Sequence, residues 1–317
     1  MKTTAVVLEQ PEHLALHELT LDAPGDTDVV VDIDYSAIST GTERLLWTGQ
    51  MPAFPGMGYP LVPGYESVGR VVQAGKRAVL QEGAQVFVPG ARCYGPVRGL
   101  FGGAASRVVV DASRVIALDD LPGEEAVLLA LAATAYHAVA GGGRIERIVP
   151  PDLIIGHGVL GRLLARMTVA AGGPAPTVWE REPTRRSGGA GYSVIDPQED
   201  TRRDYRAIYD VSGDSAVLDT AIARLARGGE VVLAGFYSAP LHFDFAPAFM
   251  REAQIRTSAE WQRPDMLAVR ELLLARRLSL DGLVTHRAVA ADAPEAYRTA
   301  FADPHCLKMV LDWRSMS

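Results

Sequence analysis

Cysteine is nearly missing: Cys93 and Cys306 are the two present in 317 residues. That excludes a disulfide scaffold and a Cys-rich zinc lobe, and it suits a reducing compartment. Runs of Lys or Arg are also missing and the formal net charge is -7, so no electrostatic footprint for nucleic acid or anionic lipid exists. A small ligand of little charge is the partner these absences leave. Nor is there an apolar run that could cross a bilayer. The longest, Ala126–Ala140, contains Thr134, Tyr136 and His137 and falls short of the roughly 20 residues a spanning helix needs. It reads as a buried helix. The opening MKTTAVVLE reaches Glu9 after a brief apolar stretch, too short for the core of a secretion signal, so a cytoplasmic location is expected.

The chain is too long for one ordinary domain, and 48% hydrophobic residues supply a sizeable core. Two domains follow. Up to about residue 118 the pattern is short β-rich runs such as DVVVDIDYSAI, ESVGRVVQAG and SRVVVDASRVIAL between Gly and Pro turns, which predicts a barrel-like sheet. A helix from Pro122 to a triple-Gly stop at 141–143 then joins the domains. Beyond it strands and helices alternate: DLIIG, RLLARMTVAA, PTVWE, SVID, RAIYDVSG, LDTAIARLARGG, EVVLAGF and QIRTS. Alternation of this kind predicts α/β architecture, a doubly wound parallel sheet with helices on both faces. The expected boundaries are 1–120, 121–261 and 262–317.

GHGVLG, spanning Gly156, His157, Gly158, Val159, Leu160 and Gly161, is a G-x-G-x-x-G between an apolar strand and a helix. Gly156 permits the tight turn, Gly158 lets a pyrophosphate approach the backbone, and Gly161 lets helix and strand pack closely. Glu180, closing the second strand 19 positions after Gly161, is the expected ribose ligand, and its charge favours NAD over NADP. Arg181, Arg185 and Arg186 argue the other way, since an Arg there can hold a 2'-phosphate. His157 either touches a phosphate or ribose or sits in solvent. Val211, Ser212 and Gly213, with Gly235 and Phe236, end the later strands, where ligands of open α/β sheets gather; the nicotinamide is expected against them.

A β-rich first half, a Rossmann half and a returning C-terminal segment together resemble the medium-chain dehydrogenase/reductase family. SAISTGTERLLWTGQ, PGYESVGRVVQAG and EAYRTAFADPHCLKMVLDW carry the resemblance. It implies a GroES-like catalytic domain completed by residues 262–317, and a dimer through the edge of the Rossmann sheet. Zinc members take ligands from positions that here hold Thr40, Tyr65 and Ala130, none of them a zinc donor. The expected enzyme has no metal. Thr40, Thr42, Glu43, Tyr65 and Glu66 become the candidate catalytic residues, with Thr42 at the place of the family's hydroxyl relay. Two readings are open: a proton relay through Thr42 or Tyr65, or a Tyr65 that merely fills the vacated cavity while Glu43 and Glu66 pair with Arg44 or Arg70.

Trp47, Met51, Phe54, Met57 and Tyr59 crowd the Gly- and Pro-rich loop between the two motifs, which suits a large flat apolar ligand or simple packing. The whole stretch ISTGTERLLWTGQMPAFPGMGYPLVPGYESVGRVV resembles the branch of the family that oxidises a hydroxyethyl group on a chlorophyllide-type pigment. That resemblance implies a tetrapyrrole substrate, NAD as acceptor, and a transient peripheral visit to a membrane. The alternatives are an NADPH-dependent quinone or enone reductase of the same family, which Glu180 opposes, and a nucleotide-binding protein without catalysis.

Overall fold

The computed structural model describes residues 1–119, 121, 123–141 and 148–316. Pro122 and the later glycines of the expected helix stop lie outside the described residues. Two compact units form, one of Met1–Ala130 with Asp281–Ser317, the other of Leu131–Leu280.

In the first unit β1 (Lys2–Gln10), β2 (His13–Thr20), β3 (Asp28–Ile38), β4 (Leu61–Val62), β5 (Ser67–Ala74), β6 (Gln85–Val88), β7 (Arg98–Gly99), β8 (Arg107–Asp111) and β9 (Ile116–Ala117) alternate with short loops. The β-branched run in β3 makes a strand with an apolar core: Val29, Val30, Val31 and Ile33 are fully buried. Gly69 is required where β5 passes β3, because a Cβ there would stand 2.1 Å from the Asp32 carbonyl oxygen. Helices α1 (Thr42–Trp47) and α2 (Gly123–Ala126) also belong to this unit.

The second unit holds α3 (Leu129–Ala140), apart from its first two residues, then β10 (Leu153–Ile155), α4 (Val159–Ala170), β11 (Thr177–Trp179), β12 (Ser193–Ile195) and β13 (Tyr205–Asp210). It continues through α5 (Leu218–Arg224), β14 (Leu225–Leu233), α6 (Phe245–Arg251), β15 (Gln254–Thr257) and α7 (Arg263–Leu274). Its sheet is parallel throughout, in the order β12-β11-β10-β13-β14-β15. The order reverses between β10 and β13, the switch point at which open sheets bind ligands.

The rest returns to the first unit: β16 (His286–Val289), α8 (Ala293–Ala302) and β17 (Met309–Asp312). Strand β17 pairs antiparallel with β3, Met309 opposite Ile38. Trp313 is fully buried and donates its indole N–H to Ser36 Oγ at 2.8 Å.

The fold departs from expectation in several places. The joining helix, expected as one piece, is two, α2 and α3, with Val127 and Leu128 in a turn between them. The helix expected over LDTAIARLARGG ends at Arg224, because Leu225 turns extended and pairs with Tyr205 as β14 begins. Strand β2 and helix α6 were not foreseen. The units divide at 130/131 and 280/281 instead of 120/121 and 261/262. Physically, Glu124 of α2 pairs with Arg287 of β16, holding α2 in the first unit. Asp265, which closes a capping box with Gln262 at the start of α7, also bonds His137 Nδ1 of α3 at 2.7 Å, so α7 stays with the second.

Candidate active site

Strand pairing brings the first unit's polar groups together. With Met309 opposite Ile38 and Ser67 opposite Ser36, the residues flanking these pairs, Lys308, Ser39 and Glu66, converge at one end of the sheet. Ser39 Oγ lies 2.7 Å from the Tyr65 hydroxyl. Tyr65 is half-buried and packs edge-on against Phe101, with ring centroids 5.5 Å apart. Burial, together with the Glu66 carboxylate, pushes its pKa up, while the Ser39 and Thr42 hydroxyls oppose the rise. The phenol is therefore neutral, able to donate and accept at once but not to rest as phenolate.

Both glutamates are buried, and neither pairs with arginine. Glu43 accepts from the Ser39 N–H at 3.2 Å and from the Tyr297 hydroxyl at 2.8 Å; with no cation bonded to it, burial pushes its pKa up to about 7. Glu66 accepts from Lys308 Nζ at 2.5 Å, while its Oε1 is buried and makes no hydrogen bond among the described residues. The expected partners are placed elsewhere: Arg70 donates to the Gly83 carbonyl, and Arg44 is exposed. Thr40 and Thr42 are half-buried beside this cluster. Sequence reasoning missed Ser39, Tyr297 and Lys308. One signal was present, a lysine set between apolar residues in CLKMVL, where a buried charge must find a partner.

The residues do not fit zinc. Its three expected positions offer a threonine, a phenol already bonded to Ser39, and the buried methyl of Ala130. Among the described residues no three His, Cys, Asp or Glu side chains are grouped to hold a metal.

The second unit's glycine loop has a geometry that a pyrophosphate would fit. Gly156 has φ +105°, and a Cβ on Gly161 would stand 1.9 Å from the Gly156 carbonyl oxygen, so both must lack a side chain. A Cβ on Gly158 would meet nothing within 4 Å; the open space lies at the N-terminus of α4, which has no side-chain cap. Its unsatisfied N–H groups and dipole suit a phosphate there. Val159 and Leu160 form the first turn. Because Trp179 pairs with Ile155, Glu180 reaches the loop, where it accepts from the His157 N–H at 3.1 Å and the Glu182 N–H at 2.9 Å. A carboxylate has about four lone-pair sites, so two stay open to ribose hydroxyls.

His157 departs from both expectations. Its side chain is fully buried, Nδ1 lies 2.7 Å from the Arg185 carbonyl and Nε2 lies 2.9 Å from the Tyr192 hydroxyl. A carbonyl only accepts, so Nδ1 carries the hydrogen and Nε2 receives one from Tyr192. Burial lowers the pKa to about 4. The imidazole is a neutral structural element, and only its main chain faces Glu180.

Arg181 is exposed and pairs with Asp214 at 3.1 Å, and Arg186 donates to the carbonyls of Glu180 and Arg181 and to Asp196. At the ends of β13 and β14, Gly235 stacks backbone on backbone against Val211 and Gly213, and Gly156 against Ser212. Asp210, also missed in the sequence, is buried and accepts from the Ser212 N–H and the Tyr237 hydroxyl, which fixes this junction.

The family model for the alcohol dehydrogenase GroES-like domain matches residues 25–120. The chain is 57% identical to the 2-desacetyl-2-hydroxyethyl bacteriochlorophyllide A dehydrogenase of Rhodobacter capsulatus, over 99% of both chains. It belongs to that dehydrogenase family. The enzyme of the same name from Cereibacter sphaeroides is 56% identical, again over 99% of both. Among solved structures, L-idonate 5-dehydrogenase from Escherichia coli superposes with a TM-score of 0.85 at 18% identity, over 98% of each chain, a likeness of fold.

Proposed function

We propose that this protein oxidises the ring-A 1-hydroxyethyl group of a bacteriochlorophyllide or chlorophyllide to an acetyl group, with NAD as acceptor and without zinc. End-to-end identity of 57% to a relative named for that activity carries the reading. The glycine loop, the open space at Gly158 and the doubly held Glu180 support NAD.

When bound, NAD supplies the acceptor for the carbinol hydride. The chain's own part is to orient the alcohol and take its hydroxyl proton. Tyr65 is the group for this: its oxygen accepts the substrate proton as its own hydrogen passes to Ser39 Oγ, and Ser39 gives its hydrogen on to water, so that both hydroxyls end neutral and no buried phenolate has to form. Thr42 is the second hydroxyl at that position. Glu66, neutralised by Lys308, holds the cluster's charge near zero.

No helix among the described residues is long and apolar enough to cross a membrane. The test is an absorbance time course of chelator-treated protein with NAD and a hydroxyethyl bacteriochlorophyllide. A red shift of the pigment band matched mole for mole by NADH is expected. Bound NAD with no pigment turnover would overturn the reading, in favour of a non-catalytic role or, if NADPH reduces quinones, of a quinone reductase.

A further inference from the structure

Arg162 lies on α4, one position past the last glycine of the loop, and it is buried. Its guanidinium donates to four main-chain carbonyls: His157 at 3.1 Å, Arg185 at 3.0 Å, Ser187 at 2.9 Å and Gly188 at 3.4 Å. No carboxylate is within ion-pair distance of it among the described residues. A buried cation normally finds a paired anion or neutralises; here four carbonyl dipoles take that place. The Arg185 carbonyl is held twice, by Arg162 and by His157 Nδ1, and His157 is in turn fixed by Tyr192. A Cβ on Gly188 would lie 2.4 Å from the Arg162 guanidinium, so the turn closes directly over it.

These bonds join two pieces that both meet Glu180, the ribose ligand of the reading above. One is the glycine loop, through the carbonyl of His157, whose own N–H binds Glu180. The other is the turn bearing Arg181, Arg185 and Arg186, the cations that could receive a 2'-phosphate. We propose that Arg162, with His157 and Tyr192, is a strap that determines cofactor choice. It fixes the arginine-bearing turn and the loop at one spacing, so that Glu180 presents its charge to a ribose and the turn cannot rearrange around a phosphate. Arg162 is a positioning residue, acting through Glu180 and the turn. The inference rests on the NAD reading above.

Binding of NAD and of NADP to the full-length protein, by calorimetry with thermal melting alongside, tests it. Arg162→Lys keeps the charge but cannot span four carbonyls. It should weaken NAD about 10-fold, leave NADP nearly unchanged and so shrink the preference by a similar factor. Tyr192→Phe removes one hydroxyl from His157 and should act in the same direction, about 3-fold. A preference unchanged in both variants, with only the melting temperature lowered, overturns the strap and leaves the NAD reading standing. A wild-type protein that prefers NADP overturns both.

Discussion

Three glutamates occupy two environments: Glu180 in the parallel α/β unit, Glu43 and Glu66 in the β-rich unit. Glu180 is half-exposed and held by two backbone N–H groups, from residues 23 and 2 positions away. Glu43 and Glu66 are buried, and the side chains that hold them are 254 and 242 positions away. The first arrangement is a local device that any strand-turn-helix with this spacing can form. The second exists because β17 folds back against β3. Local backbone donors stabilise a charge without removing it from water. The buried cluster instead offsets its charges, with a lysine beside Glu66 and with a Glu43 carboxyl whose proton is held up to about pH 7.

The largest expected effect comes from breaking the buried pair. Lys308→Met leaves Glu66 uncompensated and should cost about 3–5 kcal/mol in urea denaturation, much of it recovered in the double variant Lys308→Met with Glu66→Gln. A loss under about 1 kcal/mol would mean that the pair is not a desolvated one. Next is the pH dependence of Glu43. Its folded pKa of about 7 lies above its ordinary value of 4.5, so between these values the folded chain holds a proton that the unfolded chain has released. The contribution is complete below the lower value and is lost as pH rises through about 7, roughly 3 kcal/mol in all. Glu43→Gln should flatten this part of the stability profile, measured by denaturation from pH 5 to 9.

Smaller effects separate chemistry from binding. Tyr65→Phe should lower kcat about 10²-fold with NAD affinity unchanged, and full activity would remove the phenol from the mechanism. Glu180→Ala should weaken NAD by about 10-fold, read by titration, as a charged hydrogen-bonding partner of the ribose is lost. Unchanged affinity would show that the local device serves the loop alone.

How much of this was readable depended on range. The strand, GHGVLG and the acidic residue after the second strand lie within one βαβ unit, where spacing dictates geometry. The orientation of His157 did not follow from spacing, since Arg185 and Tyr192 reach it from a turn with no regular period. The early end of α5 escaped for a related reason: LDTAIARLARGG is a good helical pattern, and pairing of Leu225 with Tyr205 overrides it. The place of α7 with the second unit was equally hidden, since its Asp265 bonds His137, 128 positions away, and its Met266 and Val269 are buried.

By itself the sequence determined the β-rich and the alternating α/β halves, the glycine-rich loop with an acidic residue after the next strand, and the presence of Thr40, Tyr65 and Ala130, none of them a zinc-donor residue type. Those features depend on residue type and short-range periodicity. Only the tertiary structure decided that Ser39 is the partner of Tyr65, that Tyr297 and Lys308 hold the two buried glutamates, and that His157 turns inward. Each of those outcomes is a side-chain contact set by strand register or loop path. A buried polar group must be satisfied, but its chemistry does not say which distant segment will satisfy it.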